Sequence, residues 1–358
     1  MKIIVTAGGT GGHIYPALGV MDKIIEDKNN KYLYIGTTTR MESEIIPMMN
    51  IPYKGIEIYG LSNNLFENVK DIKYIIKSYK KCLEIIDEFK PDVVLGFGGY
   101  VSLPVLYAAK KRKIKVAIHE QNYIPGKTNR FLGRFANKVF VSFEASNKYF
   151  KKDKVIYSGN PCEERARLIK KADKTSLGFD RNKKLIIIVM GSMGSTAINE
   201  KLCDFLRSFD DENKEILFIT GKNSYNDLKH NLVFKGNIKM VPYQDNLPGL
   251  MKDADLILSR AGAGAISEII ATEIPSILIP SPYVANNHQH FNAMDLKNKN
   301  LCVVLEEENL NKENLEKQIN EVLDTQIYNE LKKNLENYEK KDASSIIYNE
   351  VKELSKRG

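Results

Sequence analysis

Short apolar runs separated by amphipathic stretches recur along the whole chain. Aliphatic, largely β-branched runs occur at Ile3–Val5, Leu33–Ile35, Val93–Gly96, Val116–Ile118, Val139–Ser142 and Lys154–Tyr157. Uniformly apolar runs of this length predict strands buried on both faces. Their alternation with helical stretches predicts a doubly wound parallel sheet. Gly159-Asn160-Pro161 breaks the alternation, and a charged stretch follows to Lys184. The pattern then restarts at Leu185–Met190, Glu215–Thr220, Ile238–Val241, Leu256–Ser259, Ser276–Ile279 and Val303–Leu305. Two Rossmann-like α/β domains in tandem, residues 1–160 and 161–340, account for this, with a hinge near Asn160. No sequence repeat relates the halves. A final helix within 341–358 carries Ile346, Ile347, Val351 and Leu354 on one side, so it must pack on something. The first domain is the expected surface.

Length and composition agree with that division. A chain of 358 residues, 43% hydrophobic, suits two domains with real cores. Cys82, Cys162, Cys203 and Cys302 are scattered without metal-ligand spacing, which fits a reducing compartment and neither a disulfide frame nor a zinc site. The first strand begins at Lys2 and its apolar run is short, so no signal peptide is expected, and no stretch approaches the ~20 apolar residues that span a bilayer. The formal net charge of +8 permits an anionic partner without naming one.

The candidate chemistry lies in the loops. The first strand runs into Gly8-Gly9-Thr10-Gly11-Gly12-His13, and a helix follows. Such a loop brings bare backbone N–H groups and a helix N-terminus up to an anionic or polar ligand. His13 within it is placed to move a proton; the alternative is a tight turn with a solvated histidine. Common look-alikes fail. The dinucleotide fingerprint would need glycine at Ile14 and an acid after the next strand, where Gly36-Thr37-Thr38 stands. A Walker A loop ending at Gly126-Lys127-Thr128 would need glycine at Gln121. A nucleophile elbow at Ser192 would need glycine at Met190. Two further loops follow strands of the first half: Gly96-Phe97-Gly98-Gly99-Tyr100, and His119-Glu120-Gln121-Asn122 with Pro125-Gly126 beyond it. Glycines in the first allow close backbone approach, though an ordinary strand-to-helix turn has the same look. Four consecutive hydrogen-bonding side chains in the second favour a site over a structural turn. Residues Leu65 to Lys81 pair an apolar stripe, Phe66, Val69, Ile72, Ile76 and Tyr79, with Lys70, Lys73, Lys77, Lys80 and Lys81. A helix of this kind either docks on its own sheet with snorkelling lysines or lies on an anionic membrane surface.

In the second half, Met190-Gly191-Ser192-Met193-Gly194-Ser195 leads from a strand into a helix, a second phosphate-type nest. It offers stabilisation of a leaving diphosphate without a metal. Asp253 and Asp255 precede a strand, so they read as a loop entry and no essential metal is expected. Arg260-Ala261-Gly262-Ala263-Gly264 opens a helix whose second turn carries Glu268, placed to accept ribose hydroxyls. Asn286, Asn287, His288, Gln289, His290 and Asn292 then crowd one helix start, a density that suggests sugar-hydroxyl recognition.

Taken together and in order, GGTGGHIYP, GFGGYVSLP, HEQN followed by PG, GNP, GS-x-G, SRAGAGAISE and NHQ-x-x-NA resemble the GT-B glycosyltransferases, specifically the family 28 UDP-N-acetylglucosamine transferases of peptidoglycan synthesis. The resemblance covers nearly the whole chain. It implies the GT-B fold, two Rossmann-like domains facing a cleft, with acceptor and membrane functions in the first and donor binding in the second. It implies an inverting, metal- and cofactor-independent transfer of N-acetylglucosamine from UDP-N-acetylglucosamine to the 4-hydroxyl of the N-acetylmuramoyl sugar of lipid I (undecaprenyl-pyrophosphoryl-N-acetylmuramoyl-pentapeptide), giving lipid II. His13 is the implied base, or the residue that orients one. Thr10, Gly11, Gly12, Asn122 and Gln289 fall on the donor-sugar side, Ser192 with Gly191 and Gly194 on the diphosphate, Gln244 on the uracil and Glu268 on the ribose. Ala263, Gly264, Ala265, Ile266 and Ser267 would supply backbone contacts. Tyr100, His119 and Glu120 match acceptor-side positions. The implied location is the cytoplasmic face of the membrane, peripherally bound through Leu65 to Lys81, with no nucleic-acid partner.

The chain departs from the family in places. Met190 stands where a glycine is usual, and Ser195 where alanine is common. Glu163 replaces an arginine, for which Arg165 is the nearest substitute. Three other readings stay open on sequence: a GT-B transferase with a different acceptor, a UDP-N-acetylglucosamine 2-epimerase, and a non-catalytic nucleotide-sugar binding protein.

Overall fold

The computed structural model describes residues 1–60, 65–191, 196–231, 234, 236–324 and 326–356. They form two compact units, one of Met1–Glu164 with Lys341–Gly358, the other of Arg165–Lys340.

In the first unit the elements run β1 (Lys2–Thr6), α1 (Gly11–Glu26), β2 (Lys31–Thr37), α2 (Glu42–Met48), β3 (Tyr53–Ile56), α3 (Leu65–Phe89), β4 (Val93–Gly96), α4 (Ser102–Lys111), β5 (Lys115–Glu120), α5 (Lys127–Leu132), β6 (Lys138–Val141) and β7 (Val155–Tyr157). The strands form one parallel sheet in the order β3-β2-β1-β4-β5-β6-β7. Ile3, Ile4, Val5, Val93, Val94 and Leu95 are fully buried, as continuous apolar strands require when helices cover both faces. β3 has no counterpart among the sequence-predicted strands. It reads Tyr-Lys-Gly-Ile at the sheet edge and buries only Ile56, so it lacks the apolar run that marks the others.

Helix α6 (Pro161–Leu168) crosses the unit boundary. The second unit continues with β8 (Lys184–Val189), α7 (Thr196–Ser208), β9 (Lys214–Ile219), α8 (Lys222–Asn231), β10 (Ile238–Val241), α9 (Leu247–Met251), β11 (Leu256–Ser259), α10 (Ala263–Thr272), β12 (Ser276–Leu278), α11 (His288–Asn298), β13 (Val303–Val304), α12 (Lys312–Leu323) and α13 (Gln326–Asn337). Its parallel sheet has the order β10-β9-β8-β11-β12-β13. The chain then returns to the first unit through α14 (Ala343–Lys356), whose Ile347, Val351 and Leu354 join Ile14, Leu18 and Met21 of α1 in one core. Asp27 at the end of α1 fixes that packing. It accepts hydrogen bonds from Tyr348 Oη at 2.7 Å and Lys352 Nζ at 2.8 Å, which hold its carboxyl well below the usual carboxylate range.

Both sheets reverse strand order once, between β1 and β4 and between β8 and β11. Successive loops leave such a switch point toward opposite faces, which opens a crevice at the carboxyl ends of the strands. The glycine-rich loops of the sequence leave these four strands.

Candidate active site

In the first unit, the loops after β1 and β4 pack on each other. Gly9 adopts φ +87°, Thr10 is extended and caps α1, and Thr10 Oγ1 lies 3.2 Å from His13 Nδ1. Behind His13 stand Gly98 (φ +94°) and Gly99 (φ +76°). A Cβ at Gly98 would sit 3.1 Å from His13 Cδ2, and one at Gly99 would sit 2.5 Å from the Gly8 carbonyl oxygen. These glycines are therefore needed so that the two loops can meet. The close approach expected of a ligand is made instead by the neighbouring loop. Thr10 and Gly12 are exposed, and Gly11 and His13 half-buried, so this rim is open to solvent. Tyr100 is half-buried, with its ring 3.5 Å from where a Gly9 Cβ would lie.

His119 and Glu120 do not form such a rim. His119 is fully buried at the end of β5. Gln121 Nε2 donates to its Nδ1 at 3.0 Å, which assigns the proton to Nε2, and Nε2 lies 3.1 Å from the Gly159 carbonyl. Burial lowers the imidazole pKa to about 4, so the ring is neutral. Glu120 is also buried. Its carboxylate accepts from Asn122 N (2.9 Å), Gly126 N (3.1 Å) and Asn129 Nδ2 (2.9 Å). Burial raises its pKa, and those hydrogen bonds oppose the rise. Both sit at a strand end packed between β4 and β6 and shape the loop that carries Asn122, so neither lies on the open rim with Thr10 and Gly12. Asn122 itself is half-buried, its side chain weakly tied to Glu120 Oε1 at 3.4 Å.

Sequence reasoning missed Glu42 and Asn129. Glu42 is fully buried beneath the β1 loop, and Asn129 bridges the His119 carbonyl and Glu120. Neither had a local signal: Met41–Ile46 reads as an ordinary exposed helix start, and Asn129 as part of a polar turn.

In the second unit, β8 is followed by buried Met190 and an exposed Gly191 with φ +99°. Ser192, Met193, Gly194 and Ser195 lie outside the described residues. After β11, Gly262 caps α10 without a side-chain cap, which leaves the first-turn N–H groups of Ala263, Gly264 and Ala265 uncapped. Ile266 N already donates to the Gly262 carbonyl at 3.0 Å, and Ser267 Oγ donates to the Ala263 carbonyl at 2.7 Å. Ile266 and Ser267 are buried, so the contacts expected of them narrow to residues 263–265. Arg260 is held below by Glu307 at 2.7 Å and by the Ile279 carbonyl at 3.1 Å. Glu268 is half-buried on the second turn, and its carboxyl group has no hydrogen-bond or ion-pair partner among the described residues. Burial raises its pKa to about 7. Gln244 is half-buried on the loop between β10 and α9.

The polar cluster before α11 divides by duty. Asn286 and Asn287 take φ +56° and +48°, a conformation asparagine tolerates better than most residues. His288 Nδ1 lies 2.8 Å from the Ala285 carbonyl, and His290 pairs with Glu306 at 2.8 Å. Buried Asn292 donates to the Ala261 carbonyl at 3.1 Å. Gln289 Oε1 accepts from Ser281 N at 2.9 Å, which leaves its NH2 group for recognition. The density read as sugar recognition is thus mostly loop architecture. Asp253 and Asp255 bind backbone N–H groups of Lys174 and Leu185 at 2.8 Å each, the loop-entry role expected of them. Among the described residues no three His, Cys, Asp or Glu side chains gather as metal ligands.

The model of the glycosyltransferase family 28 N-terminal domain matches residues 3–141, and that of its C-terminal domain matches residues 185–356. The chain belongs to glycosyltransferase family 28. Within the family it is 39% identical over 363 residues to the UDP-N-acetylglucosamine–N-acetylmuramyl-(pentapeptide) pyrophosphoryl-undecaprenol N-acetylglucosamine transferase of Bacillus subtilis, covering 99% of this chain and 100% of the relative. The Bacillus licheniformis enzyme of the same name is 40% identical over 361 residues, covering 99% of each. The crystal structure of Acinetobacter baumannii MurG superposes with a TM-score of 0.77 at 24% identity, covering 98% of this glycosyltransferase and 99% of that chain. UDP-GlcNAc 2-epimerase from Neisseria meningitidis, bound to UDP-GlcNAc, superposes at 0.71 with 16% identity, covering 99% and 100%. Likeness at these identities establishes the GT-B fold and does not separate transferase from epimerase. The sequence relatives do, since the full-length matches near 40% are transferases.

Proposed function

We propose that this glycosyltransferase moves N-acetylglucosamine from UDP-N-acetylglucosamine to the 4-hydroxyl of the N-acetylmuramoyl sugar of lipid I, with inversion, giving lipid II. The match to transferases of that name over essentially the whole chain carries this reading. An inverting transfer needs a base on the acceptor hydroxyl and stabilisation of the departing diphosphate. His13 is the base. Thr10 Oγ1 lies 3.2 Å from Nδ1, and in the tautomer that donates to it the basic nitrogen is Nε2. Thr10, Gly11, Gly12, Asn122 and the Gln289 amide act on the donor sugar, and Tyr100 on the acceptor. The uncapped start of α10 and the segment after Gly191, Ser192 included, receive the diphosphate, because helix N-termini favour anions. Glu268 takes the ribose hydroxyls, and the backbone at Gln244 meets the uracil.

The lipid acceptor brings the first unit to the inner surface of the cell membrane. Among the described residues no helix is long and apolar enough to cross a bilayer. On α3, Ile76 is 52% exposed and flanked by exposed Lys73 and Lys80, while Ile75 and Tyr79 face the core. The side chains of Phe66, Val69, Lys70 and Ile72 lie outside the described residues. Tyr107 on α4 and Phe131 on α5 extend the exposed apolar surface, with Lys110 over the Phe135 ring at 4.4 Å. An apolar patch edged by lysines fits the headgroup region of an anionic leaflet. Lys77 differs from its neighbours, because it pairs with Glu57 at 2.9 Å.

Release of UDP from UDP-N-acetylglucosamine, with and without a lipid I analogue, tests the assignment on wild type and His13→Ala. Acceptor-dependent release that collapses in the variant supports both parts. Release that survives keeps the function and removes His13 as the base, and no release in wild type refutes the acceptor.

A further inference from the structure

The β1 loop rests on a carboxylate. Glu42 begins α2, yet its side chain is completely buried. Its Oε1 accepts from Thr37 N at 3.0 Å and from Thr37 Oγ1 at 2.7 Å, and its Oε2 accepts from Gly9 N at 3.2 Å. One side chain therefore joins the end of β2 to the loop that ends in His13. The surroundings are shaped to admit it. A Cβ at Gly8 would fall 2.2 Å from Glu42 Oε1, and one at Gly36 would fall 2.7 Å from Glu42 Cγ. Two hydroxyls brace the same strand ends, buried Tyr34 Oη donating to the Ala7 carbonyl at 3.0 Å and half-buried Tyr53 Oη donating to the Thr37 carbonyl.

A buried carboxylate without a cation is costly, and no ion pair offsets this one among the described residues. A core needing only volume there would be served by an apolar side chain. What the carboxylate adds is a pair of acceptors at fixed separation, one for the strand and one for Gly9. Gly9 holds a left-handed φ, the next residue turns to extended, and the helix begins one residue later. His13 lies on that first turn, so the placement of Gly9 governs where its imidazole sits.

We propose that Glu42 is a positioning residue for the transfer reaction: its carboxylate clamps the Gly9 backbone and so sets the orientation of His13. The proposal rests on the reading of His13 as the base. An amide in place of the carboxylate turns one of its ends into a donor, so either Gly9 N–H or the Thr37 donors lose their acceptor. Misplacement of a reacting group by about 1 Å lowers a rate about 100-fold.

The test compares wild type, Glu42→Gln and Thr37→Val, using UDP-N-acetylglucosamine with a soluble lipid I analogue and the imidazole NMR signals of His13. Glu42→Gln is expected to lower kcat about 10- to 100-fold and shift the His13 resonances, with UDP affinity and melting temperature near wild type. Thr37→Val keeps the volume and removes one donor, so it shows the same selective loss in smaller measure. Wild-type kcat and unchanged His13 signals in Glu42→Gln overturn the proposal. Where Glu42→Gln does not fold, the same wild-type result from Thr37→Val overturns it. If His13→Ala retains full activity, the base assignment fails separately, while the His13 resonances still report on the clamp.

Discussion

Glu268→Gln tests whether the second unit gives up stability to bind its ligand. Burial holds this carboxyl near 7 instead of its ordinary 4.5, and no described group hydrogen-bonds to it. A raised folded-state pKa means that, between those two values, the folded chain keeps a proton the unfolded chain releases. Stability therefore falls as pH rises through that window, and the whole cost is present above pH 7. At about 1.36 kcal/mol per pH unit the ceiling is about 3 kcal/mol. Solvent reaching the half-buried side chain lowers that to about 1–3 kcal/mol. Glutamine keeps the shape without the charge. At pH 8 the unliganded variant should melt several degrees above wild type, since each kcal/mol moves a domain of this size by about 2–4 °C. The advantage should shrink as pH falls toward 5. Affinity should move the other way. A carboxylate accepting two ribose hydroxyls makes charge-assisted hydrogen bonds, and losing that arrangement should weaken UDP binding about 10- to 100-fold. Wild-type affinity should itself decline below pH 7, because the acid must shed its proton to accept both hydroxyls. Calorimetric titration of UDP at pH 6 and 8, with thermal melts of both proteins, reads each quantity. A variant no more stable than wild type at pH 8 would refute the burial argument. Unchanged UDP affinity would refute the ribose assignment.

Gly98→Ala forces a side chain onto φ +94° and a methyl to within 3.1 Å of His13; it should destabilise the first unit by about 1–2 kcal/mol and cut kcat at least 10-fold while leaving UDP affinity intact, as steady-state kinetics beside UDP titration would show. Reversing Lys73, Lys80 and Lys110 to glutamate should weaken binding to vesicles rich in anionic lipid more than 100-fold, at about 1 kcal/mol for each lysine near the surface, with UDP affinity unchanged. Reversing Lys77 alone should matter less, because Glu57 already neutralises it. Equal vesicle binding by the triple variant would remove α3 and α4 from the membrane face.

The strands and their order of appearance were legible because parallel strands covered on both faces must be continuously apolar, and Ile3–Val5 or Val93–Leu95 can be little else. The edge strand β3 was not, since Tyr-Lys-Gly-Ile obeys no such constraint. Among the loops, sequence located the glycine-rich strand ends better than it separated the duties of their residues. A polar residue at a strand's carboxyl end has two physical uses, to meet a ligand or to satisfy the backbone of the turn that meets it. Spacing does not distinguish them. His119, Glu120 and Asn292 do the second: each is buried and hydrogen-bonds to a carbonyl or amide of an adjacent loop, while Ser267 bonds back to the Ala263 carbonyl of its own helix. Gln289 uses its oxygen on Ser281 N and leaves its amide over. Glu42 shows the converse. Its neighbours Met41, Ser43 and Glu44 make it look like one more exposed acid at a helix start, and only the fold places it 3.2 Å from Gly9. A buried acid or amide supporting a glycine loop is as much a part of the chemistry as the histidine that loop presents, because a base held by flexible glycines has no fixed direction until something rigid beneath them supplies it.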